Sequence, residues 1–496
     1  MDMNNEVSMG CAAGVLKRTT VAPARVGVFS VVHGVYFDQF EHLEEKLQGY
    51  YQDFLGLVRK EAVEVFDYGM VDSSEKGYEA LRKMQGDNLD ILLCDMITYA
   101  TSSVFAPIIR DMKIPVVLVA LQPLAALDYT QASTFMQLEN DNICSVPEFT
   151  CAATRLGHPV ADVILGTLYG DEKALAEIHE WCQIANVLHS LKGARIGLMG
   201  HVLEAMYDMH TDPTAAAAAF DIHVPLLEVD DLLALEETVT EEEIAAKKAV
   251  IEQIFDMPDP KWDPVTRKVT PEDLHQAARS AVALDKLVKE RNLTGLAYYY
   301  EGRPGFDHQR MAGSLIVGNS LLNAQGIPMC GEFDLKTCIA MLIMDRLGIG
   351  GSFAEFHPFD FSEDFILVGH DGPHHIAIAE GKPVLRSLIK YHGKPGHGAS
   401  VEFKIKEGPI TMLGITQGAN GQYKMVIGEG ESKHGPIPPT GNTNTRGFFK
   451  PNTRDFIKAW VMECPTHHYA LGVGHHARTI KKIADMLGIE AVIVQP

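Results

Sequence analysis

The 496-residue chain has little that would suit a membrane or a nucleic acid. It has no run of 18 or more apolar residues, which argues against a transmembrane helix. Its 43 basic residues are outnumbered by 65 acidic ones, giving a formal net charge of −22 without any basic stripe. We therefore expect neither a nucleic-acid partner nor an anionic membrane surface.

Paired cysteines and nucleotide-binding motifs are also missing. The eight cysteines are scattered and form no CxxC pair, which in a chain of this size indicates reduced thiols rather than a disulfide framework. No GxGxxG or P-loop pattern follows a predicted strand. The N-terminal stretch lacks the basic-then-apolar pattern of a signal peptide, so we expect a cytoplasmic protein.

What is present is an alternation of strand-like and helix-like segments. After a loose tail at 1–24, it predicts two doubly wound, mostly parallel α/β domains at 25–171 and 172–325. A long helix is expected at 37–58 and an exposed loop at 258–264. From 326 to 496, short β-like runs between Gly-rich turns, the first at 399–406, predict a C-terminal antiparallel sheet or small barrel.

The stretch at 331–375 carries the residues best suited to chemistry. Apolar periodicity predicts a helix at 333–347, preceded by Glu332 and ended by Gly348. Such a helix travels about 22 Å. The extended segment that follows covers about the same distance. Glu355 is therefore expected to return beside Glu332.

A predicted hairpin adds a histidine to these glutamates. Strands at 353–359 and 365–370 flank a polar turn, and Glu355 and His370 lie symmetrically about it, as cross-strand neighbours would. An unpaired carboxylate in the apolar, aromatic strand around Glu355 would be costly, so a cation is the simplest partner. Carboxylate and imidazole ligands suit Mn²⁺, Co²⁺ or Fe²⁺ rather than Ca²⁺ or a structural zinc.

Histidines concentrate in the same part of the chain. Eleven of the 21 lie between His357 and His476, including three adjacent pairs. A lone histidine is more often structural than a ligand, but clustering in a Gly-rich β region favours metal binding. The pair His467 and His468 lies in a loop that could bring a ligand to the site, whereas His475 and His476 fit the start of a helix.

Four segments together resemble the L-arabinose isomerase/L-fucose isomerase family: GEFDLKTC, GGSFAEF, LVGH and PTHHYAL. The resemblance follows the domain order over most of the chain. It implies that Glu332, Glu355, His370 and His468 are the metal ligands, with Mn²⁺ as the usual ion and Co²⁺, Fe²⁺ or Mg²⁺ as alternatives. Further candidate substrate contacts are His33 and Gln122, beyond predicted strands, together with Asn140 and His467.

The reaction that the resemblance implies is an intramolecular aldose–ketose isomerisation of a pentose, hexose or hexose derivative through a cis-enediol. Glu332 and Glu355 would be the catalytic pair, one moving a proton between C2 and C1 and the other handling the hydroxyl proton. The family also implies a homotrimer or homohexamer whose sites are completed by a neighbour's N-terminal domain.

Two segments depart from the family pattern. After the first strand the chain reads SVVHGVY, with Val32 where the family carries a glutamine, and residues 139–143 lack the histidine of the corresponding family stretch. Both differences fall where the far end of the sugar is bound. The resemblance therefore implies the chemistry more firmly than the sugar.

Two other classes of function fit the same residues. A metal-dependent lyase or hydrolase could use the same ligands on a sugar derivative, since aldol cleavage also passes through a metal-stabilised enediolate. A non-catalytic sugar-binding protein would suit tandem α/β domains, but it gives no reason for Glu355 in an apolar strand.

Overall fold

The computed structural model describes residues 12–203, 205–259, 266–388, 390–391, 394–440 and 442–495. The chain divides into two compact units: a first unit, Val21–Ser190, and a second unit made of Met1–Thr20 and Leu191–Pro496. Within the described ranges, no helix has the length and apolar character needed to cross a membrane. Residues 1–11 of the expected tail and most of the expected loop at 258–264 lie outside the described residues.

The first unit is built on a parallel sheet. Its strands are β1 (Arg25–Val31), β2 (Glu64–Val71), β3 (Ile91–Asp95), β4 (Val116–Gln122) and β5 (Asp162–Thr167), in the order β2-β1-β3-β4-β5. The helices are α1 (Val35–Gln39), α2 (Leu43–Val58), α3 (Ser74–Met84), α4 (Ala106–Asp111), α5 (Thr134–Leu138), α6 (Val146–Arg155) and α7 (Glu172–Leu191). The inner strands are buried almost throughout, as strands covered on both faces should be. The helix expected at 37–58 is two helices, because His42 has a left-handed φ of 68° between them.

The second unit begins with another parallel sheet. The next strands are β6 (Ile196–Met199), β7 (Leu226–Leu227), β8 (Thr266–Arg267), β9 (Gly295–Tyr298) and β10 (Met329–Cys330). The helices here are α8 (Pro213–Phe220), α9 (Val229–Glu237), α10 (Glu241–Ile254), α11 (Pro271–Arg291), α12 (Asp307–Ala312) and α13 (Ile316–Ala324). Four of the strands form a sheet in the order β10-β9-β6-β7, and all of its pairings are parallel. The expected second parallel-sheet α/β region is thus confirmed.

The remainder of the second unit is mainly antiparallel. Its elements are α14 (Leu335–Arg346), β11 (Gly350–Asp360), β12 (Phe365–His370), β13 (Val384–Leu388), β14 (Lys390–Tyr391), β15 (Lys394–Pro395), β16 (Ala399–Glu402), β17 (Gly408–Gln417), β18 (Tyr423–Lys433), β19 (Thr443–Phe448), α15 (Thr453–Met462), β20 (Tyr469–Val473), α16 (Ala477–Leu487) and β21 (Glu490–Ile493).

Six of these strands close into a barrel. They pair in the order β17-β20-β11-β12-β19-β18, and β18 pairs back with β17, while β21 lies parallel to β18. The expected barrel is confirmed, but its membership differs from the sequence prediction. The predicted strand at 399–406 is β16, which pairs with β13 in a separate three-stranded sheet, whereas the hairpin strands β11 and β12 belong to the barrel wall.

The described part of the N-terminal tail differs from the loose segment that was expected. Ala12 is buried, and the Arg18 guanidinium donates to both carboxylate oxygens of Asp345 at 3.0 and 2.7 Å. The Thr19 amide donates to the Gln325 carbonyl at 2.8 Å. These long-range contacts hold residues 12–20 against the segments around Gln325 and Asp345. The sequence of 12–20 has no periodicity from which the contacts could be predicted.

Candidate metal centre

Glu332 lies directly beyond the carboxyl end of β10, the edge of a parallel sheet where ligands bind in such folds. Glu332 and Phe333 both have left-handed backbone angles, with φ of 60° and 62°. Consecutive non-glycine residues in that region are strained, and such strain concentrates at functional sites. Helix α14 therefore begins at Leu335, two residues later than predicted, with Asp334 as its N-cap.

Strand β11 brings Glu355 back to Glu332, as the length argument predicted. The pairing with β12 follows the predicted symmetric register only near the turn, where Phe359 faces Ile366. An irregularity between Phe356 and Phe359 then shifts the register by one residue, so that Glu355 faces Gly369 rather than His370. The predicted direct cross-strand pair is therefore wrong by one position, although the two side chains still meet at the strand end.

His468 comes from the other side of the same strand. It immediately precedes β20, which pairs antiparallel with β11 so that Tyr469 faces Ala354. The barrel thus sets His370 on one neighbour of β11 and His468 on the other. Phe353 lies between them, with its ring centroid 4.3 Å from that of His370 and 4.4 Å from that of His468.

The four predicted ligands converge. The Nε2 atom of His370 lies 3.7 Å from an oxygen of Glu332 and 3.7 Å from an oxygen of Glu355. The Nε2 atom of His468 lies 3.5 Å from the other oxygen of Glu332. At this centre, ligand atoms close enough to share one ion form two overlapping groups, Glu355–His370–His468 and Glu332–His467–His468, which share His468.

These contacts are too long for hydrogen bonds but suit ligands of one cation. Donor atoms bound to an octahedral ion at about 2.1 Å lie about 3 to 4.2 Å from one another. Oε2 of Glu332 and Nε2 of His468 are buried and have no hydrogen-bond partner among the described residues. Buried polar atoms without partners are rare, and a cation would satisfy both. The residues therefore fit a divalent ion.

Burial controls the charge of the site. It raises the pKa of Glu332 to about 8, because the carboxylate is removed from water and lies near the like charges of Glu355, Asp371 and Asp334, while His467 opposes the shift. Burial also lowers the pKa of His370 well below its usual range. The pKa of His468 is lowered by burial too, although its contact with Asp334 opposes the shift. Both imidazoles are therefore neutral, the form that binds a metal.

Two carboxylates that sequence reasoning missed hold histidine rings of the site. Oδ2 of Asp334 accepts from Nδ1 of His468 at 3.2 Å, and Oδ2 of Asp208 accepts from Nδ1 of His467 at 2.5 Å. Each contact leaves Nε2 for the site, as in carboxylate–histidine–metal arrangements. Asp334 could have been found as a helix N-cap three residues before Thr337, whereas Asp208 gives no local signal.

The same contacts lower the pKa values of the Asp334 and Asp208 carboxyl groups. Asp334 is fully buried, which opposes ionisation, but its hydrogen bond with His468 holds its pKa at about 2. The hydrogen bond with His467 lowers the pKa of Asp208, while burial opposes that shift. For His467 itself burial favours the neutral ring, but the Asp208 contact outweighs it and raises the pKa.

Four other histidines of the cluster do not belong to the candidate metal-binding groups. His375 contacts Asp345, the ring of His374 lies 3.3 Å from the Ser352 hydroxyl, and His475 donates to the Gly430 carbonyl. His476 is the N-cap residue of α16 without a side-chain capping bond. Clustering in the sequence therefore marked the right region, and only some of its histidines reach the centre.

Three predicted substrate residues belong to the first unit. The ring of His33 contacts the rings of Tyr36 and Tyr99 edge-on, at centroid distances of 5.4 and 5.9 Å. Gln122 and Asn140 both donate to the Leu124 carbonyl, at 3.3 and 3.1 Å. Their role as substrate contacts stays a prediction.

Comparison with known proteins gives matches in the second unit and along most of the chain. Residues 203–350 match the L-arabinose isomerase central domain, and residues 386–495 match the L-fucose isomerase C-terminal domain. An L-arabinose isomerase of Nocardioides sp. is 26% identical over 356 residues, covering 70% of this chain and 68% of the relative. That of Cellvibrio japonicus is 23% identical over 426 residues, covering 81% and 80%. That of Clostridium beijerinckii is 24% identical over 362 residues, covering 70% and 69%.

Proposed function

We propose that this chain, which belongs to the L-arabinose isomerase and L-fucose isomerase family and is an aldose–ketose isomerase, works through a divalent ion at Glu332, Glu355, His370 and His468. The observation that carries the proposal is the set of ligand atoms 3.5 to 3.7 Å apart, on buried Glu332, His370 and His468 and half-buried Glu355. Mn²⁺ is the proposed ion, because two carboxylates and two neutral imidazoles form a mixed oxygen and nitrogen shell.

The two glutamates would carry the proton transfers. One carboxylate removes the proton from C2 of the aldose and later delivers it to C1, while the other takes the O2 proton and returns one to O1. The sugar passes through a cis-enediol, and no atom is gained or lost. When bound, the ion supplies a Lewis acid that polarises the sugar carbonyl.

We propose that the sugar differs from the L-arabinose for which the relatives are named. Val32 is fully buried and offers no hydrogen-bond donor where the family pattern carries a glutamine. Both the side-chain oxygen and the amide nitrogen of Asn140 are engaged with the Leu124 backbone. A sugar hydroxyl that is buried without its polar partner is bound more weakly, so we expect a lower affinity for a sugar that places a hydroxyl at that position. We therefore expect another pentose, hexose or hexose derivative.

The test is to incubate the Mn²⁺-loaded protein with pentoses, hexoses and 6-substituted hexoses in heavy water. We expect aldose–ketose exchange with at least one sugar, and deuterium uptake at C1 or C2. Glu332→Gln and Glu355→Gln should each lower the rate at least 100-fold, since general acid–base groups contribute about that much or more. Glu363→Gln is the matched control, because Glu363 lies on the same hairpin and contacts Arg446 instead.

Other outcomes would identify other functions. Fragmentation of the sugar, seen by mass analysis, would indicate a lyase or hydrolase. Sugar binding that survives Glu355→Gln, in a protein that carries no metal, would indicate a binding protein. Failure of exchange and of deuterium uptake with every sugar would reject the isomerase mechanism.

Further proposals rest on the family resemblance or on composition. We propose a homotrimer or homohexamer with sites completed by a neighbour's N-terminal domain, and light scattering of the purified protein would measure its size. We also propose a cytoplasmic location, supported by the free state of every described cysteine. The boundaries at 25–171, 172–325 and 326–496 stay predictions, which limited proteolysis would test.

A further inference from the structure

The short turn Tyr207–Met209 places a carboxylate against the candidate metal centre. Oδ2 of Asp208 accepts from the backbone amide of His467 at 3.0 Å and from its ring Nδ1 at 2.5 Å. The two residues are 259 positions apart in the chain. Because one oxygen accepts both hydrogen bonds, Asp208 fixes both the backbone and the ring of His467.

The turn that carries Asp208 is itself held from two sides. The ammonium group of Lys336, a fully buried side chain on the first turn of α14, donates to the carbonyls of Met209 and His210 at 3.0 and 3.3 Å. Thr211 hydrogen-bonds Gln417 and Tyr423 on the barrel strands at 3.0 and 2.8 Å. Because these anchors are buried or half-buried, the Asp208 carboxylate is preorganised rather than free to move.

The contact determines which nitrogen of His467 is available. A carboxylate can only accept, so Nδ1 must carry the hydrogen and Nε2 is the remaining ring nitrogen. The His467 ring centroid lies 3.9 Å from that of His468, but the His467 side chain is 36% exposed whereas that of His468 is 0% exposed. His467 is thus the accessible member of the pair, beside a buried ligand.

We propose that Asp208 is a positioning residue that acts through His467, orienting its Nε2 toward a hydroxyl oxygen of the bound sugar next to Glu332. The proposal rests on the isomerase function proposed above. It treats His467 as a substrate contact rather than a ligand, although His467 also lies within reach of a cation at Glu332 and His468. Asp334, the N-cap of α14, accepts a hydrogen bond from His468 in the same way. Helix α14 therefore supports the His468 ring directly, and it supports the His467 ring through Lys336, which holds the turn that carries Asp208.

The first experiment needs no substrate. Asp208→Ala, His467→Ala and the double variant are unfolded in denaturant, and the midpoints are compared as a double-mutant cycle. We expect each single change to lower the midpoint and the double change to lower it no further than the larger single effect. Additive shifts would show that the two side chains do not act together and would overturn the proposal.

The second experiment measures kinetics and bound Mn²⁺ on the same variants. Asp208→Ala should raise KM at least tenfold with a smaller change in kcat, and should have no further effect when His467 is already alanine. Asp208→Asn should restore KM to within about threefold of the parent, because its amide oxygen can accept both bonds. Asp230→Ala is the control, since Asp230 contacts His308 at 2.9 Å in a comparable pair outside the centre.

Metal content separates the alternatives. Loss of Mn²⁺ from Asp208→Ala or His467→Ala comparable to the loss from His468→Ala would make His467 a ligand and overturn its role as a substrate contact. If the parent protein isomerises no sugar, the proposed function fails, while the denaturant cycle still decides whether Asp208 and His467 act as a pair.

Discussion

The four proposed ligands depend on partner residues that are not themselves proposed ligands. Asp334 shows this best, because its carboxylate accepts from His468 at 3.2 Å and from both the amide and the hydroxyl of Thr337, at 3.1 and 2.8 Å. It therefore joins the first turn of α14 to His468, a proposed ligand that precedes barrel strand β20. Such outer partners fix the tautomer of a ligand and strengthen its binding.

Asp334→Asn should therefore weaken Mn²⁺ binding about 10- to 100-fold, the usual effect of losing an outer-shell carboxylate. The amide can still cap the helix, so the free energy of unfolding should change by no more than about 1 kcal/mol. Titration with Mn²⁺ and denaturant unfolding of the metal-free protein would measure the two effects. Asp212→Asn, at the N-cap of α8, is the matched control and should leave Mn²⁺ affinity unchanged. Unchanged affinity in Asp334→Asn would contradict the role assigned to this residue.

At the scale of elements, the centre depends on how closely the barrel strands pack. Gly369 pairs with Glu355 on one side and with Asn444 on the other. A Cβ atom at this position would lie 1.8 Å from the Thr443 carbonyl oxygen, which belongs to the backbone and cannot swing away. The glycine is needed for close approach of β12 to β19, just before His370.

Gly369→Ala should therefore separate these strands and displace His370. We expect a free energy of unfolding lower by about 1–3 kcal/mol, as overpacking costs, together with Mn²⁺ affinity at least tenfold weaker. Thermal unfolding and Mn²⁺ titration would measure both. In the control Gly56→Ala, on α2, an added Cβ meets nothing within 4 Å, and the change should stabilise the helix by about 0.5–1 kcal/mol. Normal metal binding by Gly369→Ala would show that the spacing of β12 and β19 does not position the ligand.

At the scale of the whole molecule, stability should depend on pH through a carboxyl group far from the ligands in sequence. Asp95 ends β3 in the first unit, is 3% exposed, and its Oδ2 has no hydrogen-bond partner among the described residues. Burial raises its pKa to about 8, while contact with Ser30 opposes the shift. An unfolded aspartate has a pKa near 3.9. Between about pH 4 and 8 the unfolded chain therefore loses a proton that the folded chain keeps.

Stability should thus fall with rising pH in that window, by up to about 1.4 kcal/mol per pH unit from this group. Asp95→Asn removes the dependence, so its advantage over the parent should grow from pH 5 to pH 8. Guanidinium unfolding at several pH values would measure it. In the control Asp128→Asn, the lost carboxyl has a pKa lowered by Thr130, so its effect should be constant between pH 5 and 8. A difference between Asp95→Asn and the parent that does not vary with pH would contradict the burial argument.

Much of the local structure could be predicted from the sequence. Periodicity placed β12 at its observed bounds, 365–370, because its apolar pattern is complete within the segment. It also placed Glu332, Glu355 and His370 together, since a helix and its return strand have nearly equal lengths. His468 entered only through the family resemblance, because spacing along the chain says nothing about which distant strand pairs with β11.

What the sequence by itself determined is the alternation of elements, the barrel-forming character of the C-terminal region and the types of side chain available for a metal. Only the tertiary structure decided the one-residue shift that sets Glu355 opposite Gly369, the pairing of β20 with β11 that delivers His468, and the contact of Asp208 with His467. The physical reason is that propensity and periodicity act over a few residues. Register, closure of the barrel and contacts across 259 positions depend on side-chain packing that forms only when the chain has folded.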